Sequence, residues 1–273
     1  MKSNLQEKTK IFTLVGMSGS GKTALSHRLS ADGLFHYSID YEIAHTHLKD
    51  KIKQSVISKI NSQSPFFREL ISKFAIKIDL SLTFDDLEVI TMFVIPMKEN
   101  GKINYGEFLN NQNLYRAAEL QATQEFWQRA KTAFENYEIS GFINDTTGSI
   151  CEISLNNKSL LDLIKNHSTV VYLKTTQEHQ NMLIERAKTA IKPILYNYDF
   201  LLKYLTEYYN FQNFTHDFEI DKEFFLWLFP KLLEYRKKSY TEFVEKTNGK
   251  TINVSSLAKI KNTKDFIELI HEN

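Results

Sequence analysis

Eight residues near the start of the chain, Gly16-Met17-Ser18-Gly19-Ser20-Gly21-Lys22-Thr23, follow the pattern G-x-x-x-x-G-K-[ST]. Of the nine glycines in the chain, Gly16, Gly19 and Gly21 fall within six residues. Such spacing lets the backbone curl until successive N–H groups converge on one anion, because no Cβ opposes the tight turn. The anion that fits this chemistry is a polyphosphate. The amides from Gly16 to Ala24, those of Ser18 and Ser20 among them, would cradle the phosphates. The Lys22 ammonium would bridge the β- and γ-oxygens and the Thr23 hydroxyl would ligate Mg²⁺, while the following helix points its positive end at the charge. Average residue usage produces such a match by chance in about one chain in a hundred of this length.

Two acids are placed to work beside that turn. Asp145 closes Phe142-Ile143-Asn144-Asp145, an apolar run whose terminal carboxylate would hold the magnesium directly or through water. An aspartate capping the next helix or turn is the competing explanation. Asp40 closes a second short strand, residues 35–39, expected beside the first strand. From there its carboxylate would face the γ-phosphate from the acceptor side and take a proton from a hydroxyl. Capping of a helix that begins at Tyr41 explains the same residue equally well. Asp145-Thr146-Thr147-Gly148 also fits the D-x-x-G box of GTPases. The guanine-reading N-K-x-D is missing, since Asn157-Lys158-Ser159-Leu160 comes too early and lacks the acid. Thr146 stands where energy-coupling ATPases place a glutamate, which favours transfer to a bound acceptor over a dedicated motor.

These groups need a scaffold of strands ending in loops, and the hydrophobic pattern supplies one. Residues 11–15, 35–39, 141–144, 169–173 and 251–254 read as short strands, separated by helical patterns that include 181–188 and 263–271. Strands alternating with helices predict an α/β fold with a parallel sheet and right-handed crossovers. Residues 41–140 are mostly helical in period, including 49–60, 66–78 and 114–137, and are too long for a simple crossover. They read as a helical insertion, a lid or subdomain within a single domain spanning 1–273. A second helical block lies within 186–247. Its aromatics Phe200, Tyr204, Tyr208, Tyr209, Phe211, Phe224, Phe225, Trp227 and Phe229 are expected to pack between helices.

Composition sets outer limits. The 273 residues are 42% hydrophobic and 25% charged, ordinary for a chain that buries a full core. With 34 basic and 33 acidic residues the formal charge is +1, so no global field draws the chain to nucleic acid or to an anionic membrane. A lone cysteine, Cys151, forms no internal disulfide, and MKSNLQEKTK lacks the apolar stretch of a secretory signal. The expected setting is reducing and cytoplasmic.

Taken in order, GMSGSGKTALSHRLS, FHYSIDYEIA, INDTTGSICE, VVYLKTT and EYRKKSYTEFVE resemble the small-molecule P-loop kinases, within them the shikimate kinase and gluconate kinase group. The segments cover roughly half the chain. The resemblance implies a P-loop three-layer sandwich with a five-stranded parallel sheet, ATP with Mg²⁺, and a mobile basic lid. It implies that Asp40 binds the acceptor hydroxyl, that Arg116 in LYRAAE lies on the acceptor-binding helix, and that Arg236 in EYRKKSY follows the lid. Arg186 matches the lid arginine that contacts the nucleotide, with Lys188 and Lys192 nearby. The family's glycine triplet after the third strand is reduced here to Gly148, and its extra acid before the one matching Asp40 is replaced by Ser38, so shikimate itself is not the expected acceptor. The chain also resembles bacterial proteins described only as ATPases, through the segment from Asp145 to Glu152.

Other constellations carry less. His45 and His47 on a helix point to different faces, unlike the i, i+4 spacing of zinc helices, and are expected on the polar surface. Asp85-Asp86-Leu87-Glu88 lacks the alternating ligands of a calcium loop and suits a helix N-terminus. Cys151 has no histidine placed to activate it and is expected to be a buried small hydrophobe. The chain is therefore expected to be an ATP-dependent kinase acting on a small hydroxylated metabolite. The alternative is a regulatory ATPase, a switch that binds a protein partner.

Overall fold

A computed structural model describes residues 11–83, 88–189 and 195–272. The apolar run IFTLV becomes β1 (Ile11–Val15), buried at all five positions, which requires a neighbouring strand on each side and a layer on each face. The neighbours are β4 (Gly141–Asp145) and β5 (Thr169–Lys174), with β2 (Leu34–Ser38) and β7 (Lys250–Asn253) at the edges, in the order β2-β4-β1-β5-β7. All four ladders are parallel. The strands expected from the hydrophobic runs thus form one sheet, but β2 does not lie beside β1. β4 separates them, because its GFIND run is buried at every position and needs two flanking strands, whereas β2 is only half-buried at Phe35 and His36 and suits an edge.

Helices follow in chain order as α1 (Lys22–Ser30), α2 (Ile39–Glu42, continued by a π turn at Ile43–His47), α3 (Lys49–Gln63), α4 (Pro65–Ser72), α5 (Glu88–Val94), α6 (Tyr105–Asn136), α7 (Ile150–Ser154), α8 (Lys158–His167), α9 (Gln177–Thr189), α10 (Tyr198–Tyr209), α11 (Lys222–Thr247) and α12 (Thr263–Glu272). Alternation along β1 sorts them into two layers. Phe12 and Leu14 share an apolar cluster with Leu25 and Leu29 of α1 and with Phe266 and Ile270 of α12. Ile11 and Val15 face a larger cluster built with α6, α8 and α11. Ile43, Leu48, Ile52, Ile90 and Phe126 belong to that same cluster, so the helices between β2 and β4 share the core of the sheet.

Two short strands, β3 (Lys102–Asn104) and β6 (Glu219–Asp221), pair antiparallel and join the two helical regions. At three residues each they are too short to leave a sequence pattern. Asn104 then caps α6, its side chain accepting from the Glu107 N–H at 2.9 Å. Phe200, Phe224, Phe225 and Phe229 are buried, as helix packing requires, while Phe211 remains 47% exposed. The helix expected over 66–78 ends at Ser72. Asp85, Asp86 and Leu87 lie outside the described residues, and Glu88 opens α5. Among the described residues no helix is long and apolar enough to cross a membrane.

Candidate functional site

The turn from Gly16 to Thr23 sits between the C-terminal end of β1 and the first residue of α1. Gly19 and Gly21 adopt φ of 84° and 92°, the left-handed region that only glycine occupies without strain. Lys22 is 6% exposed, and its Nζ folds back to donate to the Gly16 carbonyl at 2.8 Å and the Met17 carbonyl at 3.2 Å. Burial lowers its pKa, while Asp145 and then Asp40 pull it back up. Ser18 is half-buried, and Thr23 and Ala24 are exposed on the first turn of α1. The Ser20 hydroxyl is buried and, among the described residues, has no hydrogen-bond partner.

Asp145 ends β4 on the sheet face that packs against α1, since its neighbour by alternation, Ile143, belongs to that cluster. It is 3% exposed and caps no helix. Its Oδ2 lies 3.1 Å from His36 Nε2 on β2. Asp40 is also not a cap, because Ser38 takes that role, accepting from the Tyr41 N–H at 3.2 Å. The Asp40 carboxylate instead accepts from the Tyr115 hydroxyl of α6 at 3.1 Å.

The turn after β4, Thr146 to Ser149, is tied down on every side. Thr146 donates to the Leu14 carbonyl at 2.7 Å. Gly148 is pressed against the first turn so closely that a Cβ there would stand 2.6 Å from the Ser18 nitrogen. Glu119 of α6, fully buried, accepts from the hydroxyls of Thr147 and Ser149, the latter at 2.9 Å. Burial pushes its carboxyl up to about 7, although both hydroxyl bonds and Arg236 pull it down. The Tyr240 hydroxyl sits between the carbonyls of Gly16, at 3.0 Å, and Gly148, at 2.8 Å, and so clamps the two turns together. Arg236, one turn before it on α11, is 1% exposed. Its guanidinium donates to Glu152 at 3.1 Å and to the carbonyls of Gly148 and Leu195. Burial is the largest single influence and works against the charge of Arg236, but its neighbours, led by Glu152, together outweigh it and keep the group protonated.

Among the residues expected to act together, Asp40, Asp145 and Arg236 each lie within electrostatic reach of Lys22. Arg116 does not join them. It is half-buried on α6 and donates to the Tyr196 carbonyl at 2.8 Å. Arg186 is exposed on α9, a helix that leans on the first turn through His179, 3.0 Å from the Gly19 carbonyl. Lys188 pairs with Glu185, and Lys192 lies outside the described residues. His45 is exposed and stacks on Tyr41, whereas the His47 side chain is largely covered and lies 3.6 Å from Glu125, not on the polar surface as expected. Cys151 is buried, its thiol pushed up to about 12 by desolvation, which makes it inert.

Sequence reasoning missed His36, Tyr115, Glu119, Glu152 and Tyr240. The available signals were faint: Tyr115 and Glu119, like Arg236 and Tyr240, stand four apart and so share a helix face. With the geometry in hand, the class is an α/β chain whose five-stranded all-parallel sheet carries a glycine-rich turn at the C-terminal end of its central strand. No family model matches the chain, and the search of curated proteins returns no match.

Proposed function

We propose that this chain is a P-loop phosphotransferase, a three-layer sandwich with residues 41–140 as a helical insertion, that moves the γ-phosphoryl group of ATP to a hydroxyl of a small metabolite in the cytoplasm. The observation that carries the reading is Lys22, held at the strand-to-helix turn with Asp145 ending the adjoining strand on the same sheet face. On binding, the Lys22 ammonium exchanges two loop carbonyls for phosphate oxygens, and its burial makes that charge more effective than it would be in water. The acceptor oxygen forms a bond to the γ-phosphorus as the bond to the β,γ-bridging oxygen breaks. The hydroxyl proton passes to Asp40, and ADP leaves. Arg186 is the lid cation in this scheme.

The donors available for a metal are hard oxygens, the Thr23 hydroxyl and the Asp145 carboxylate. Among the described residues no three His, Cys, Asp or Glu side chains are grouped to form a cage. Two hard oxygens suit Mg²⁺, which is usually held by one or two protein oxygens together with water and phosphate. Bound there, it would neutralise charge on the phosphate oxygens.

A second reading, an ATP-driven switch that binds a protein partner, draws support from the Tyr240 clamp and the Glu119 bonds, which link both turns to long helices. Purified protein with Mg²⁺, γ-labelled ATP and a broad panel of sugars, polyols and nucleosides separates the two. Transfer predicts label in one product, and its loss in Asp40→Asn while ATP affinity is retained. Hydrolysis without a labelled product from any acceptor contradicts transfer and leaves the switch.

A further inference from the structure

Residues 74 to 83, Phe-Ala-Ile-Lys-Ile-Asp-Leu-Ser-Leu-Thr, alternate apolar and non-apolar positions apart from Ala75. Burial follows the same period: Ile76, Ile78, Leu80 and Leu82 are half-buried, while Lys77, Asp79, Ser81 and Thr83 are exposed. Leu80 and Leu82 pack on the main core. A period of two is that of a strand laid with one face on the body. Yet the segment belongs to neither sheet. Among the described residues no backbone group of residues 77–82 bonds to another backbone group, and the Leu80 N–H reaches only the Asp79 carboxylate. Beside it, α4 buries none of its residues, and Phe66, Phe67 and Phe74 are 66%, 45% and 93% exposed. An apolar-backed strand with unpaired N–H and C=O groups is a template for another strand.

We propose that this segment pairs antiparallel with the same segment of a second copy of the chain, about a two-fold axis at Ile78. The charge pattern selects that occupant. With Ile78 opposite the partner's Ile78, Lys77 faces the partner's Asp79 and Asp79 faces the partner's Lys77. Ile76 then faces the partner's Leu80, while Phe74, at φ 58° in the turn that closes α4, lies outside the ladder. Ile76, Ile78 and Leu80, the half-buried positions of the ladder, each meet an apolar one, and the exposed side gains two opposite-charge cross-strand pairs. A shift of the axis by half a residue sets Ile78 against Asp79, so the register is specified. Lys53, 3.9 Å from Asp79 at an exposed position, is a weak competitor for that carboxylate.

Sedimentation velocity on the full chain is the test, with circular dichroism to confirm that each variant folds, since the altered charges are solvent-exposed. The expected result is a concentration-dependent dimer, weakened about tenfold or more by Asp79→Lys and restored by the double exchange Lys77→Asp/Asp79→Lys. Ile78→Cys should give a disulfide-linked dimer on mild oxidation, while Lys264→Cys, 83% exposed elsewhere, should not. Buried Cys151 does not interfere. A monomer at every concentration, which would include a segment reserved for a strand of some other protein, overturns the proposal. So does a dimer that neither exchange affects, or cross-linking no faster at residue 78 than at 264.

Discussion

Two turns follow adjacent parallel strands, one after β1 and one after β4, and they are built on opposite principles. The first, Gly16 to Thr23, is shaped by its own glycines, and its lysine is satisfied by carbonyls five and six residues away. The second, Thr146 to Ser149, has one glycine and holds its form through bonds to α6 and α11, from residues 28 to 92 positions distant in sequence. A self-shaped turn depends less on the rest of the molecule, whereas an externally held turn inherits every weakness of the helices that hold it. Tyr240 joins the two, so damage to the second reaches the first through one hydroxyl.

The largest expected effect comes from cutting the tie that the second turn shares with the C-terminal helices. Arg236→Ala leaves Glu152 buried without its partner, frees the Leu195 carbonyl and leaves Gly148 to Tyr240 alone, at a cost of about 3–5 kcal/mol in chemical denaturation. A loss below about 1 kcal/mol would mean that the second turn stands by itself as the first does. Glu119→Gln gives a smaller and pH-dependent effect. The folded carboxyl titrates at about 7 against 4.5 for the free group, so between those values the folded protein holds a proton that the unfolded chain has released. The associated stability is complete below about pH 4.5 and is lost as pH rises through 7, about 3 kcal/mol in all. Denaturation midpoints at pH 5 and pH 8 should differ in the native protein and converge in Glu119→Gln. An unchanged pH dependence would remove Glu119 from the account.

The same contrast explains what could be read in the sequence. β1 and its glycine-rich turn are contiguous, so residue type and spacing specify both. Asp145 was legible because it ends an apolar run. Its partner His36 was not, since only the pairing of β2 with β4 brings positions 36 and 145 together. Strand order is likewise non-local, and the expected place of β2 beside β1 failed for that reason. Arg236 and Glu152 form a buried pair across 84 residues that no local pattern announces. The strand-like alternation after Phe74 was masked by helical spacing at 66, 67, 70, 71 and 74, which runs into it.

The account depends above all on the first turn wrapping a polyphosphate. Isothermal calorimetry of the purified chain with Mg-ATP is the most direct test, with Lys22→Ala as the comparison. Saturable binding that falls at least a hundredfold in Lys22→Ala is the predicted outcome. No heat from either protein at millimolar Mg-ATP or Mg-GTP, or equal binding by both, would contradict it.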